Sequence, residues 1–217
     1  MKNALVQNKK IIESLYYIAF SIVLYFISLS LEIKYIFTNA FFFENYKYRT
    51  ADEIQTIISD EHSSDFINFL YAPIFCILLT LCIAIILYVI LIILNRYTSF
   101  VICLKIGAIS QIVYSLNYFI TIILKLTGVI KYDIINVNDT SEYQSILNFI
   151  SLKDLPDWSL YLFEKMNITE IVFVIILISL INKNIKIPWR YAAIIAIFIE
   201  TFIITIGFIF YIYNLIF

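Results

Sequence analysis

Apolar runs long enough to cross a lipid bilayer alternate with polar connections along this chain. Such runs cover residues 11–31, 66–94, 99–126 and 188–213. An α-helix rises about 1.5 Å per residue, so roughly 20 apolar residues span the hydrocarbon layer. Each run therefore predicts a transmembrane helix. The polar stretches 32–65 and 127–158 predict two long connections outside the membrane.

A fourth crossing, between the third run and the last, has a weaker pattern. The apolar stretch 171–181 amounts to only about 16 Å of helix, too short for a hydrocarbon layer of about 30 Å. Either the helix begins near Ser159 and includes Glu164, Lys165 and Glu170, or a re-entrant or surface segment fills the remaining depth. We favour a helix over residues 159–182, because four crossings would place the basic turn after it beside the acidic loop.

The pattern thus predicts an all-α integral membrane protein, a single domain of residues 1–217 built as a bundle of five transmembrane helices. The tight connection at residues 95–98 makes the second and third helices antiparallel neighbours. Pro73 is expected in the first turns of the second helix, where a missing N–H is tolerated. In the third helix Ser110, Tyr114 and Asn117 share one face, which should point into the bundle.

The first long connection contains a helix start signal. Thr50 and Glu53 have the spacing of a capping box, and isoleucines follow at helical spacing. We expect a short amphipathic helix over about residues 51–61, lying on the membrane surface or on the bundle. The aromatic residues between 41 and 48 suit the membrane interface.

Composition supports a membrane protein: 62% of the 217 residues are hydrophobic and 14% are charged, whereas soluble domains carry about 25% charge. The three cysteines lie in apolar runs, and His62 has too few neighbouring ligands for a metal site. There is no nucleotide-binding loop, zinc-protease motif or serine elbow. The chain is therefore predicted to be non-enzymatic, with no cofactor, no metal and no nucleic-acid partner.

Charge asymmetry predicts the orientation. With the N-terminus in the cytoplasm, the inner segments hold eight cations and one acid, and the outer loops hold seven cations and fourteen acids. This positive-inside bias places the C-terminus outside. The residues expected to mark the inner surface are Arg96, Lys105, Lys183, Lys186, Trp189 and Arg190. Lys105 should extend from the third helix to the inner headgroups rather than pair with Glu200.

A carboxylate near the middle of the last helix is the sharpest candidate for function. Glu200 lies about 18 Å along its helix, and Gln111 and Glu170 fall at a similar depth. One interpretation is a protonatable or cation-binding polar layer of Glu200, Glu170 and Gln111. The other is purely structural, with a protonated Glu200 hydrogen-bonded across helices to Gln111, Ser110 or Thr80.

Two glycosylation patterns, Asn138-Asp-Thr140 and Asn167-Ile-Thr169, also occur. They would matter only in a eukaryotic secretory membrane.

The second half of the chain, about residues 100–213, resembles the Yip-type family of five-span membrane proteins. The likeness lies in the polar third helix (Lys105-Ile-Gly-Ala-Ile-Ser-Gln-Ile-Val-Tyr114), in the run from Met166 to Leu177, and in a last helix opening Arg190-Tyr-Ala-Ala. The resemblance implies five spans and a cytosolic N-terminus. Eukaryotic members act in vesicle traffic and bind small GTPases. The short N-terminal region, scarce glycine and long outer loops here favour a prokaryotic member, and no functional residue transfers.

Two functions remain open from the sequence. The first is a scaffold or accessory subunit that binds other membrane proteins or itself, because the inner loops are short and no catalytic set is present. The second is a small transporter or proton- or cation-coupled component using Glu200 and Glu170. In either case the expected location is the inner membrane of a prokaryote, with lipid covering the outer surface.

Overall fold

The computed structural model describes residues 2–96, 98–134, 136–137, 142–149 and 155–216, although the side chains of a few of these are not described. This part of the chain is helical and forms no sheet. The helices are α1 (Lys2–Tyr35), α2 (Asn39–Asn45), α3 (Ala51–Ile93), α4 (Phe100–Leu126), α5 (Asp157–Lys165), α6 (Ile168–Ile185) and α7 (Trp189–Ile216). Two short 3₁₀ helices, Glu142–Gln144 and Ile146–Phe149, lie between α4 and α5.

Five of these helices, α1, α3, α4, α6 and α7, are long and apolar enough to cross a membrane. The predicted all-α chain with five helices of spanning length is therefore confirmed. Helix α4 lies at the centre of the bundle, where it packs against α1, α3 and α6, and α7 packs mainly against α6. The two ends of the bundle differ. One carries the short turns at residues 94–99 and 186–188 (the short-turn end), and the other carries the long connections (the loop end).

The central position of α4 follows from its sequence. Its polar side chains recur along the helix, and Ser110, Gln111 and Ser115 are completely buried. Gly107 lets the backbone of α3 approach closely, and a Cβ atom there would lie 2.7 Å from the carbonyl oxygen of Thr80. The largest apolar core surrounds this crossing and joins α3, α4, α6 and α7.

Helix α3 differs from the prediction. The expected surface helix and second span are one continuous helix of 43 residues. The polar residues 62–65 between them, predicted as part of a loop, are therefore helical. The capping box of Thr50 and Glu53 is present as expected. Polar side chains alone do not end a helix, and no glycine or proline occurs before Pro73. Pro73 consequently lies in the helix interior, not in its first turns.

The first turns of α3 lie on the bundle, which was one of the two predicted placements. Ile54 and Ile58 are buried in a second apolar cluster with Ile36, Phe41 and Phe42. The interface assignment was therefore wrong for these two phenylalanines, which fill a core between α2, α3 and α4.

The fourth crossing is broken. Helix α5 ends at Lys165 and α6 begins at Ile168, so the continuous helix predicted from Ser159 is wrong. Asn167 starts the second helix, because its side-chain oxygen accepts the backbone N–H of Glu170 at 2.9 Å. The 18 residues of α6 give about 27 Å of helix, close to the thickness of the hydrocarbon layer. Helix α5 packs against the end of α7, where Tyr161 stacks on Tyr211.

The basic residues predicted for the inner surface gather at the short-turn end. Lys183, Lys186 and Arg190 are exposed around the turn between α6 and α7, with Trp189 half exposed beside them. Arg96 is exposed in the turn between α3 and α4. Each turn includes one residue in the left-handed region, Asn95 or Lys186, which allows the chain to reverse in a few residues.

Candidate functional site: a buried pair of glutamates

Glu200 lies in the interior of the bundle and lacks the partners that a buried carboxylate needs. It is 7% exposed, eleven residues after the start of α7. Within the described part of the chain, neither carboxyl oxygen has a hydrogen-bond partner. Buried polar groups in folded proteins are almost always hydrogen-bonded, so this carboxyl needs an explanation.

Glu170 is the nearest ionisable neighbour, and local structure fixes its position. It is the third residue of α6, held by the Asn167 cap, and it is 8% exposed. The Tyr114 hydroxyl of α4 donates a hydrogen bond of 2.7 Å to one Glu170 oxygen, Oε2. The ammonium group of Lys165, at the end of α5, lies 3.8 Å from the other oxygen, Oε1.

The two carboxyl groups are close enough to repel each other, although no hydrogen bond joins them in the described structure. A shared hydrogen bond would require a proton on one of them, because two ionised carboxylates are both acceptors. Two negative charges at this distance in a low-dielectric interior repel each other strongly, so one shared proton is the favoured arrangement. The unpartnered oxygens of Glu200 are thus explained if the pair holds a proton.

Lys165 completes the charge balance of this cluster. One ammonium group, two carboxyl groups and one shared proton sum to zero charge, which a buried site requires. The same ammonium lies 5.6 Å from the ring centroid of Tyr161. Partial burial, assisted by the nearby Glu170 carboxylate, raises the pKa of Tyr161 to about 12, so this residue stays a neutral phenol.

The predicted polar layer is brought together only in part. Glu200 and Glu170 meet, as their matching depths indicated. Ser110 instead bonds the backbone carbonyls of its own helix, and Gln111 donates to Ser115 at 3.5 Å. The hydroxyl of Thr80 has no partner in the described residues. The hydrogen bond proposed from Glu200 to one of these three side chains is therefore absent from the described structure.

Two members of the cluster were not assigned to it from the sequence. Tyr114 had been placed on the face of α4 that points into the bundle, but its bond to Glu170 depends on how α4 and α6 cross. Lys165 was treated as part of a continuous fourth helix. The break at Asn167 is what places Lys165 next to Glu170.

Lys105 lies far along α4 from this cluster and has its own partner. Its ammonium donates to the Glu13 carboxylate of α1 at 2.5 Å, and both side chains are partly exposed. The expected extension to the membrane surface is compatible with this exposure, but the pairing with Glu13 was not anticipated.

The described residues contain no cluster of three metal-ligating side chains. His62 instead contacts the Asp65 carboxylate at 3.2 Å.

Asn167, the first residue of one of the two glycosylation patterns, is buried and serves as a helix cap, and its amide nitrogen donates to the Glu164 carbonyl. The other pattern, residues 138–140, lies outside the described residues.

No protein-family model, curated protein or solved structure matches this chain. The glutamate pair is therefore the main basis for proposing a function.

Proposed function

We propose that this chain is a small proton-coupled membrane component, a transporter or a subunit of one, that works through Glu200 and Glu170. The observation that carries the proposal is the buried Glu200 carboxyl, which has no hydrogen-bond partner in the described residues and lies near a second carboxyl, that of Glu170. Of the two functions expected from the sequence, this geometry favours the second.

Energetics separate a functional pair from a structural one. A carboxylate in the middle of a membrane helix costs roughly 2.5–3.5 kcal/mol on insertion scales. A structural role would offset this cost with complementary donors, as Tyr114 does for Glu170. Glu200 has no such donor among the described side chains. Ionisable groups kept inside a membrane without full pairing are typical of proton and ion pathways.

Each residue has a role in such a mechanism. The pair binds one proton, and losing it leaves the cluster with one net negative charge that a proton or a cation can neutralise. Tyr114 holds the Glu170 carboxyl in position from α4. Lys165 stands at the end of α5, towards the loop end, and offsets one of the two carboxylate charges. Loading and release of a proton would thus change the attraction between α6, α7 and α5.

The scaffold function rests on a less discriminating feature. An accessory subunit would use the apolar outer surface, and α7 in particular exposes most of its length. Lipid requires the same apolar surface on any membrane protein, so this feature does not separate the two functions.

We also propose the orientation indicated by the charge asymmetry, with the short-turn end in the cytoplasm, and a prokaryotic inner membrane as the location.

The test is proton movement into sealed liposomes containing the purified protein. A potassium diffusion potential drives protons inward, and an enclosed pH-sensitive dye reports their entry. We expect entry faster than in empty liposomes, reduced at least tenfold by Glu200→Gln. The matched control is Glu164→Gln, which removes a carboxylate from neighbouring α5 and should leave entry unchanged.

A second readout observes the pair directly. Infrared difference spectra between low and high pH should contain a protonated-carboxyl band that is lost in Glu200→Gln and kept in Glu164→Gln. If proton entry and this band both survive Glu200→Gln, the proposal is wrong. Purification as a stoichiometric complex without proton entry would favour the scaffold function instead.

A further inference from the structure

A second polar feature lies between α1 and α3 at the loop end of the bundle. There a cavity of about 540 Å³ opens between the two helices, with Tyr118 of α4 as part of its wall. Tyr118 follows Tyr114 by one helical turn but bonds Glu32 of α1 rather than a residue of α6. The cavity is thus separate from the glutamate pair.

Negative charge dominates the lining. Three carboxylates, those of Glu32, Glu61 and Asp65, line the cavity, and no lysine or arginine does. Glu32 is 5% exposed, and only one of its oxygens is bonded, by the Tyr118 hydroxyl, within the described part of the chain. Lys125 attracts Glu32 and donates a hydrogen bond to the carbonyl of Val137, and His62 contacts the Asp65 carboxylate. The lining itself therefore carries three carboxylates and no lysine or arginine side chain to balance them.

Aromatic rings form most of the remaining wall. Tyr25 contacts Tyr118 with 5.3 Å between ring centroids and Phe75 with 6.3 Å, and Tyr71 stacks on Phe75 at 5.9 Å. The faces of such rings attract cations, most strongly where water is excluded. Carboxylates on α1 and α3, together with rings on α1, α3 and α4, suit a ligand with a charged head and an apolar body.

We propose that this cavity binds an organic cation, a molecule carrying an ammonium group on an apolar body. A metal ion fits less well, because no three carboxylate, thiol or imidazole groups of the described residues converge closely enough to hold one. The acids are distributed around a volume of several hundred Å³, as an extended ligand requires. Aromatic walls would add affinity for an organic cation and none for a hydrated divalent ion.

The inference goes beyond the proposed proton coupling and does not depend on it. Occupancy of the cavity can be measured at constant pH without any proton movement. If both proposals hold, the organic cation is the class of molecule whose passage the glutamate pair would drive.

The binding test uses the full chain in lipid nanodiscs and calorimetric titration with benzyltrimethylammonium. Its uncharged isostere, neopentylbenzene, has the same shape without the charge and serves as the ligand control. We expect saturable binding of the ammonium compound beyond that of empty nanodiscs, and at least tenfold weaker binding of the isostere. Equal binding of the two compounds would show an apolar crevice only and overturn the proposal, as would the absence of saturable binding.

Variants then locate the site. Combining Glu61→Gln with Asp65→Asn removes two partly exposed charges, so the fold should tolerate it, and affinity should fall at least tenfold. Asp52→Asn, an exposed acid at the start of the same helix, should bind like the parent. Glu200→Gln should also bind like the parent, so failure of the proton proposal stays distinguishable. Unchanged affinity in the double variant, or displacement of the probe by millimolar magnesium, would overturn the assignment.

Discussion

Replacing Gly107 by alanine tests the packing on which the bundle depends. The added Cβ atom would lie 2.7 Å from the Thr80 carbonyl oxygen and 3.5 Å from the Ile83 side chain. The first contact is closer than real Cβ atoms allow, and its partner is backbone in the middle of a helix. Thr80 cannot rotate away, so α3 and α4 must separate.

The size of the effect follows from two opposing terms. Overpacking a well-packed core costs about 1–3 kcal/mol, and a rigid backbone partner puts Gly107→Ala in the upper half of that range. Alanine regains about 1 kcal/mol over glycine inside a helix. We expect a net loss of about 1–2 kcal/mol in the free energy of unfolding, or about 2–8 °C in the melting temperature.

Buried cysteines provide the assay. Cys76 and Cys103 are completely buried in α3 and α4, so in a background that lacks the partly exposed Cys82 a thiol-reactive fluorophore reports thermal unfolding in detergent. The control is Thr205→Ala on α7, which changes an exposed side chain whose hydroxyl donates to a carbonyl of its own helix. Its melting temperature should stay within about 2 °C of the parent. A Gly107→Ala protein that melts at or above the parent temperature would refute the close approach of α3 and α4.

Three further predictions concern local structure and topology. Asn167→Ala should lower stability by about 1 kcal/mol in the same assay because α6 loses its cap, whereas Asn167→Ser, which keeps a capping oxygen, should lose less; equal losses would exclude a capping role. Lys105→Glu should lower the melting temperature of the protein, and adding Glu13→Lys should restore much of the lost stability in low salt. No recovery of the melting temperature would argue against the pairing of these two residues. In a cysteine-free background, Lys9→Cys and Asn214→Cys should react on opposite sides of the membrane with an impermeant thiol reagent; labelling of both from one side would contradict five crossings.

Much of the fold was predictable because apolar length is a strong signal. Lipid excludes unsatisfied backbone groups, so each long apolar run had to be a helix. The continuous helix α3 was not predicted because the acidic residues and serines between Asp60 and Asp65 have the polar composition that is typical of loops. Those residues only lower hydrophobicity, and the absence of glycine or proline there was the informative signal.

The meeting of Glu170 and Glu200 was predictable from depth alone, by counting residues from the helix ends. The other side chains that contact the two glutamates were not predictable in this way. Gln111 has the right depth but lies next to Cys76 of α3, because the neighbour that a side chain meets depends on the rotation of α4 about its axis. The break before α6 was present in the sequence as an asparagine three residues before Glu170, but the same letters also fit a glycosylation pattern.

Helix α3 is about 64 Å long, roughly twice the hydrocarbon thickness, with Pro73 just past its midpoint. A proline inside a helix removes one backbone hydrogen bond and marks the place where the rod bends most easily. Glu61 and Asp65 stand before this point and Phe75 stands after it. Flexing at Pro73 would therefore move the Glu61 and Asp65 carboxylates relative to the Phe75 ring, and a bend in α3 would change the width of the cavity between them.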